Sequence, residues 1–121
     1  MAEIHTTGKE GENLAVEFLK AKGYKILATN WHFGKMEIDI VAQDNDFIVF
    51  VEVKTRHSTL YGEPENAVNR DKQRFLVRAA QAFIEIKKIE WEARFDIVSV
   101  IFSSTGHNIN HIPNAFYPTL Q

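Results

Sequence analysis

Apolar residues recur along the chain with two periods, and each period predicts a type of element. Leu14, Ala15, Val16, Phe18 and Leu19 sweep one broad face at about 100° per residue, which predicts an amphipathic helix over residues 8–22. Thr7 and Glu10 have the Thr-x-x-Glu spacing of a capping box at its start, and Gly23 suits the left-handed position just beyond its end. Tyr24, Ile26 and Ala28 alternate as in a short strand. Residues 36–42 alternate acidic and apolar side chains, Asp44-Asn45-Asp46 supplies turn chemistry, and residues 47–54 are rich in Val, Ile and Phe, which together predicts an antiparallel hairpin. Residues 55–63 carry turn formers without a period, a loop, and Pro64 opens a short helix reaching Val68. Phe75, Leu76, Ala79, Phe83 and Ile86 mark a longer helix over 70–87, residues 94–102 a strand, 103–106 a turn, and 107–112 a weaker last strand. The order αβββαββ describes one mixed α/β domain over residues 1–121, with helices covering a sheet.

Several polar residues interrupt these apolar patterns. Glu12 projects between Val16 and Leu19 on the helical wheel: it is either a rim residue favoured by the helix dipole or a carboxylate aimed at a site. If Gln43 pairs with Asp46, Asp39 lies opposite Phe50 and Glu37 opposite Glu52. One face then carries Glu37, Asp39, Phe50, Glu52 and Lys54, and the other Ile38, Ile40, Phe47, Val49, Val51 and Val53. Asp39 and Glu52 become diagonal neighbours, roughly 7 to 8 Å apart, close enough to share a cation. Charges such as Glu52 and Lys54 in a largely apolar strand cost several kcal/mol unless paired or coordinated. They make either a structural pair on a solvated face or part of a site. Lys72 falls amid the apolar stripe of its helix, where it either snorkels or extends past the helix end toward a site.

Composition narrows the function classes. Hydrophobic residues at 45% and charged residues at 25% suit an ordinary globular domain. Fourteen Lys and Arg against 16 Asp and Glu give a net charge of −2, so no bulk cationic field draws the chain to nucleic acid, and any phosphate binding must be local. Locally, Lys54, Arg56, Arg70, Lys72, Arg74 and Arg78 outnumber Glu63, Glu65 and Asp71: a phosphate track or a solvated face of mixed charge. The lack of cysteine excludes disulfides, thiolate nucleophiles and Cys-ligated zinc, and fits a reducing, cytoplasmic setting. The first residues carry acids and lack the apolar core of an export signal. The longest apolar run, residues 47–51, falls far short of the ~20 residues that span a bilayer, so no membrane segment is expected. His107 and His111 have no evident third ligand and are expected at the surface. Trp31 and Phe33 fit core packing or edge filling better than base stacking.

Carboxylates and a lysine in this arrangement are the parts of a Mg²⁺ or Mn²⁺ site for phosphodiester hydrolysis. Asp39, Glu52 and the backbone carbonyl of Val53 would supply oxygen ligands, with Glu12 holding a bound water. Lys54 would stabilise negative charge and Lys72 would bind the neighbouring phosphate.

Gly8-x-x-Gly11-Glu12, Gly23-Tyr24, Asn30-Trp31, Glu37-Ile38-Asp39, Phe50-Val51-Glu52-Val53-Lys54-Thr55-Arg56, Tyr61-Gly62 and Ala67-Val68 with Lys72 resemble the uncharacterised bacterial family typified by YraN. That family is similar to the PD-(D/E)XK nuclease superfamily, nearest to archaeal Holliday-junction resolvases. The resemblance implies a restriction-endonuclease-like fold and a Mg²⁺- or Mn²⁺-dependent endonuclease acting on DNA, branched DNA included. It assigns Asp39 to the superfamily Asp, Glu52-Val53-Lys54 to its (D/E)-x-K, Glu12 to the helix-one acid and Lys72 to the later basic residue. Arg56, Arg70, Lys72 and Arg74 become the nucleic-acid contacts, and a homodimer would suit symmetric cutting. Met36 stands where a Gly usually precedes Glu-Ile-Asp, with Gly34 two residues earlier. The rival reading is a non-catalytic nucleic-acid-binding or protein-interaction module on the same fold.

Overall fold

The computed structural model describes residues 2–57 and 68–116. Its elements are α1 (Ala2–Ala21), β1 (Lys25–Phe33), β2 (Met36–Asp44), β3 (Phe47–His57), α2 (Arg70–Lys87), β4 (Glu92–Ser103) and β5 (Gly106–Phe116). The order is the αβββαββ that the sequence pattern predicts. The five strands form one open mixed sheet in the order β1-β2-β3-β4-β5. Neighbours are antiparallel except β3 and β4, which run parallel because the connection between them crosses over through α2. Most of the short helix expected over 64–68 and of the loop expected over 55–63 lies outside the described residues; within them, β3 continues through Thr55 to His57.

Helix α1 begins well before the Thr7 capping box, so Thr7 lies inside the helix. No Pro or Gly stands among residues 2–7 to stop it. Its end follows the glycine signal. Gly23 has φ +97°, its N–H donates to Lys20 O at 2.9 Å, and Tyr24 N–H donates to Leu19 O at 3.0 Å, the paired bonds of a Schellman cap. Helix α2 is capped by Asn69, whose side chain accepts from Lys72 N–H at 2.9 Å, and ends on Lys88 in the left-handed conformation.

The helices cover opposite faces of the sheet. Ala15 and Leu19 of α1 pack on Ile40, Ala42, Val49, Val51, Val98 and Val100. Leu76, Ala79, Ala80 and Phe83 of α2 pack on Ile38, Val41, Ile48, Phe50 and Phe95. Burial on both sides explains why the central strands read as nearly continuous apolar runs. It also corrects the one-apolar-face reading of the hairpin: Phe50 is core beneath α2, and Ile38 belongs to the α2 face rather than to that of Ile40. Phe50 stacks on Phe95 and meets Phe83 edge-on, so truncating it to Ala would cost about 3–5 kcal/mol. Phe75 and Ile86, expected on the apolar stripe of α2, are instead 48% and 59% exposed.

The hairpin register is also corrected. Gln43 pairs with Ile48 and Asp44 with Phe47, which closes the turn over Asn45 and Asp46, with Asn45 at φ 54°. The expected pairing of Gln43 with Asp46 is therefore displaced by two residues, which preserves faces but changes partners.

A second polar cluster lies where the β4–β5 register shifts between Phe95 and Ile97. Asp96, only 1% exposed, accepts from Arg94 Nε at 2.9 Å and from Asn114 N–H at 3.0 Å, and shares a 2.7 Å hydrogen bond with His111 Nε2. Arg94 also donates to Asp44 Oδ2 at 3.0 Å and to the Tyr24 hydroxyl at 2.7 Å, tying β4 to the hairpin turn and to the end of α1. Burial opposes the charge on Asp96, but bonds from His111, Arg94 and the Asn114 amide outweigh it and hold its carboxyl below the usual range. His111, expected at the surface, has a side chain only 2% exposed, because this carboxylate satisfies it inside.

Candidate metal centre and adjoining cleft

The paired residues of β2 and β3 end at Ile40 and Val51, although both strands continue. One further step of this register sets Asp39 against Glu52. That replaces both expected pairings, Asp39 with Phe50 and Glu37 with Glu52. Val53 N–H donates to Asp39 Oδ2 at 2.8 Å, so a side-chain carboxylate takes the place of a ladder carbonyl and the two strands separate around it.

Two other elements build the site, α1 with a further acid and β1 with an amide that holds it. Gly11 is buried on α1, and a Cβ there would collide with the Thr55 hydroxyl on β3. Only glycine lets the helix lie this close, which carries the next residue, Glu12, to the strand ends. From β1, Asn30 adopts φ 48°, a left-handed conformation that Asn tolerates better than most residues. Its amide donates to Glu12 Oε1 at 3.1 Å and to Glu37 Oε2 at 2.9 Å, holding two carboxylates side by side. One carboxylate oxygen each from Glu12, Glu37 and Asp39 lie within 4.8 Å of one another.

Asp39 is pushed up to about 7. Burial is the main cause, followed by the charge of Glu52; the Val53 N–H opposes both, and Glu12 and Glu37 add to the rise. An all-oxygen donor set under mutual repulsion suits a hard divalent cation, which would relieve that repulsion, so the residues present fit Mg²⁺ or Mn²⁺. Glu52 lies outside the three-acid group. Lys72 Nζ is 3.4 Å from its Oε2, and its side chain is 14% exposed.

The remaining expected residues lie on β3 and α2. Val53 enters the centre through its N–H. Strand alternation puts Lys54 and Arg56, both half-buried, on the face of Glu52, opposite to Val53 and Thr55. Arg70 opens α2 and is exposed; Arg74 is exposed and bonded to Asp71 at 3.0 Å. Lys72 directly engages Glu52 beside the site. A cavity of about 600 Å³ adjoins Glu37 and Asp39, lined also by Lys35, Met36, Lys72, Phe75, Leu76 and Arg78.

Sequence pattern alone did not single out Glu37, Asn30 or Lys35 as site residues. Glu37 carried a signal, its place in Glu-Ile-Asp. Asn30 carried the motif Asn30-Trp31 but no sign of its role, which depends on a backbone angle and on which carboxylates the fold delivers.

The chain matches the model of the uncharacterised protein family UPF0102 over residues 11–100. It is 47% identical over 120 residues to a UPF0102 protein of Bacteroides thetaiotaomicron, covering 99% of each chain. It is 46% identical over 117 residues to one of Flavobacterium psychrophilum, covering 97% of this chain and 98% of the relative. A UPF0102 protein of Thermodesulfovibrio yellowstonii is also 46% identical over 117 residues, covering 97% of this chain and all of the relative. The chain belongs to this family, the YraN-like one that its motifs resemble. Among the described residues, no helix is long and apolar enough to cross a membrane.

Proposed function

We propose that this chain is a cytoplasmic, divalent-metal-dependent endonuclease that hydrolyses phosphodiester bonds in DNA, branched or structured DNA in particular. The observation that carries this reading is the convergence of Glu12, Glu37 and Asp39, from α1 and β2, beside a Glu52 engaged by Lys72. The resemblance to PD-(D/E)XK nucleases supports it for Glu12, Asp39, Glu52 and Lys72, while Glu37 comes from the geometry alone.

Glu12, Glu37 and Asp39, with Glu52 and the Val53 carbonyl adjacent, would hold Mg²⁺ or Mn²⁺. The ion would polarise the scissile phosphate and make water a better nucleophile. The chain's own groups do the rest. Asn30 fixes the directions of Glu12 and Glu37, and the Val53 N–H fixes that of Asp39. Lys54 offsets the negative charge that builds on the phosphate oxygens, and Lys72 binds the adjacent phosphate. Arg56, Arg70 and Arg74 hold the DNA backbone on the α2 side. A two-fold dimer would cut two strands symmetrically.

The second reading is a non-catalytic nucleic-acid-binding or protein-interaction module on the same scaffold; the net charge of −2 and the Arg74 pair with Asp71 both weaken attraction to DNA and so favour its protein-interaction form. Incubation with duplex, flap and four-way-junction DNA in Mg²⁺ or Mn²⁺ separates the two. The nuclease reading expects cleavage by the wild type and none by Lys54→Ala or Asp39→Ala. Cleavage that survives both substitutions belongs to a contaminant and contradicts it.

A further inference from the structure

The cleft beside the acids has a composition that the metal site does not require. Lys35, Lys72 and Arg78 contribute three cations to its lining, and Phe75 an aromatic ring. Phe75 is 48% exposed although its neighbours Leu76 and Ala79 are buried in the α2 core, so its ring is not committed to packing under the helix. At about 600 Å³ the cavity falls within the ~300–1,000 Å³ of pockets that enclose a single small ligand. Cations set around an exposed aromatic ring match a nucleotide, whose base offers a face to stack and whose phosphates need neutralising.

We infer that this cleft takes one unpaired nucleotide of a DNA strand, next to the phosphodiester that lies over Glu12, Glu37 and Asp39. Phe75 stacks on the base, while Lys35 and Arg78 hold its flanking phosphates. The inference rests on the nuclease reading for the position of the scissile phosphate, and it goes further by naming the substrate form. A base in a continuous duplex has both faces stacked, so it has no free face for Phe75. The chain should therefore prefer flaps, forks and single-stranded ends over blunt duplex and over a fully paired four-way junction.

Binding without divalent ions isolates the cleft from catalysis. Fluorescence anisotropy in EDTA would compare a 5′- or 3′-flap, a single strand, a blunt duplex and a four-way junction, each end-labelled, against wild type, Phe75→Ala, Phe75→Trp and Arg78→Ala. Phe75 and Arg78 are both exposed, so these variants keep the fold, which circular dichroism checks. We expect the wild type to bind flap and single strand more tightly than duplex or junction. Phe75→Ala should weaken flap and single-strand binding ~5- to 100-fold without changing duplex binding, and Phe75→Trp should restore it. Arg78→Ala should lower the salt slope for the single strand by about one. Equal affinity for all four DNAs, or Phe75→Ala within two-fold of wild type on the flap, overturns the inference. Parallel incubations in Mn²⁺ separate it from the nuclease reading. Selective binding without cleavage removes the nuclease reading and leaves the cleft, whereas cleavage indifferent to Phe75 removes the cleft alone.

Discussion

Val53 donates its backbone N–H to Asp39 Oδ2 at 2.8 Å, across the point where β2 and β3 stop pairing. The bond fixes the acid in a crowded, half-buried position, and the crowding shows in a carboxyl pushed up to about 7, first by burial and then by Glu52. Holding a charge there costs stability when no cation is bound.

The pH dependence of that cost has a definite sign. Between about 4 and 7 the folded chain keeps a proton on Asp39 that the unfolded chain has lost, so this group's contribution to stability falls as pH rises through that window. Asn at this position keeps an oxygen for the Val53 N–H and removes the charge. Asp39→Asn should therefore gain about 1–3 kcal/mol over wild type at pH 8 in EDTA, with the gain vanishing near pH 4. Urea unfolding at the two pH values checks this; a gain independent of pH would contradict the assigned titration.

Gly11 and Thr55 set how closely α1 approaches the site. Gly11→Ala forces the helix or Thr55 to move and should pull Glu12 away from Asp39, weakening Mn²⁺ binding by about tenfold, in the range seen for groups that orient metal ligands. Adding Thr55→Ala removes the hydroxyl and methyl that a Cβ at Gly11 would strike, so the double variant should recover most of the loss. Calorimetric titration of both variants reads this, and failure of the second substitution to rescue would place the effect elsewhere.

Asn30 combines two roles that substitution can separate. Asn30→Gly keeps the left-handed backbone accessible and deletes the amide bonded to Glu12 and Glu37; it should cost 10- to 100-fold in Mn²⁺ affinity with little change in Tm. Asn30→Ala should lose the same affinity and about 1–2 kcal/mol of stability besides, because Ala resists φ 48°. Equal Tm values for the two variants would contradict the backbone role.

The buried cluster around Asp96 is structural in this account. Asp96→Ala leaves the Asn114 amide and His111 Nε2 without their carboxylate and Arg94 with Asp44 as its remaining acid, and should cost about 3–5 kcal/mol, measured by denaturant unfolding. Its lowered carboxyl adds stability above the unfolded value near 3.8, and that stability is lost as pH falls through the lower folded value. A loss below 1 kcal/mol at pH 7 would show that the cluster is dispensable.

Much of this was legible in the sequence because local signals agreed with the tertiary fold. The bounds of α2 followed from its apolar spacing, and Gly23 marked the end of α1. The start of α1 was misplaced because a capping pattern inside a helix looks the same as one at its end. The hairpin register differs from the expected one because Asp44-Asn45-Asp46 permits more than one turn, and a shift of two residues keeps the alternation of faces where the strands pair. Exposure of Phe75 and burial of His111 were invisible to periodicity. The first depends on how α2 rolls over the sheet, and the second on Asp96 arriving from the neighbouring strand. Glu12 and Asp39 stand out because acids on apolar patterns need a reason, whereas a polar residue such as Asn30 on an edge strand needs none.

The central claim is that Glu12, Glu37 and Asp39 form one cation site, and Mn²⁺ titration by calorimetry at pH 7.5 tests it most directly. We expect one ion per wild-type chain, with affinity falling at least tenfold in Glu37→Ala and in Asp39→Ala while circular dichroism stays unchanged. Wild-type affinity retained in both variants would contradict the site itself.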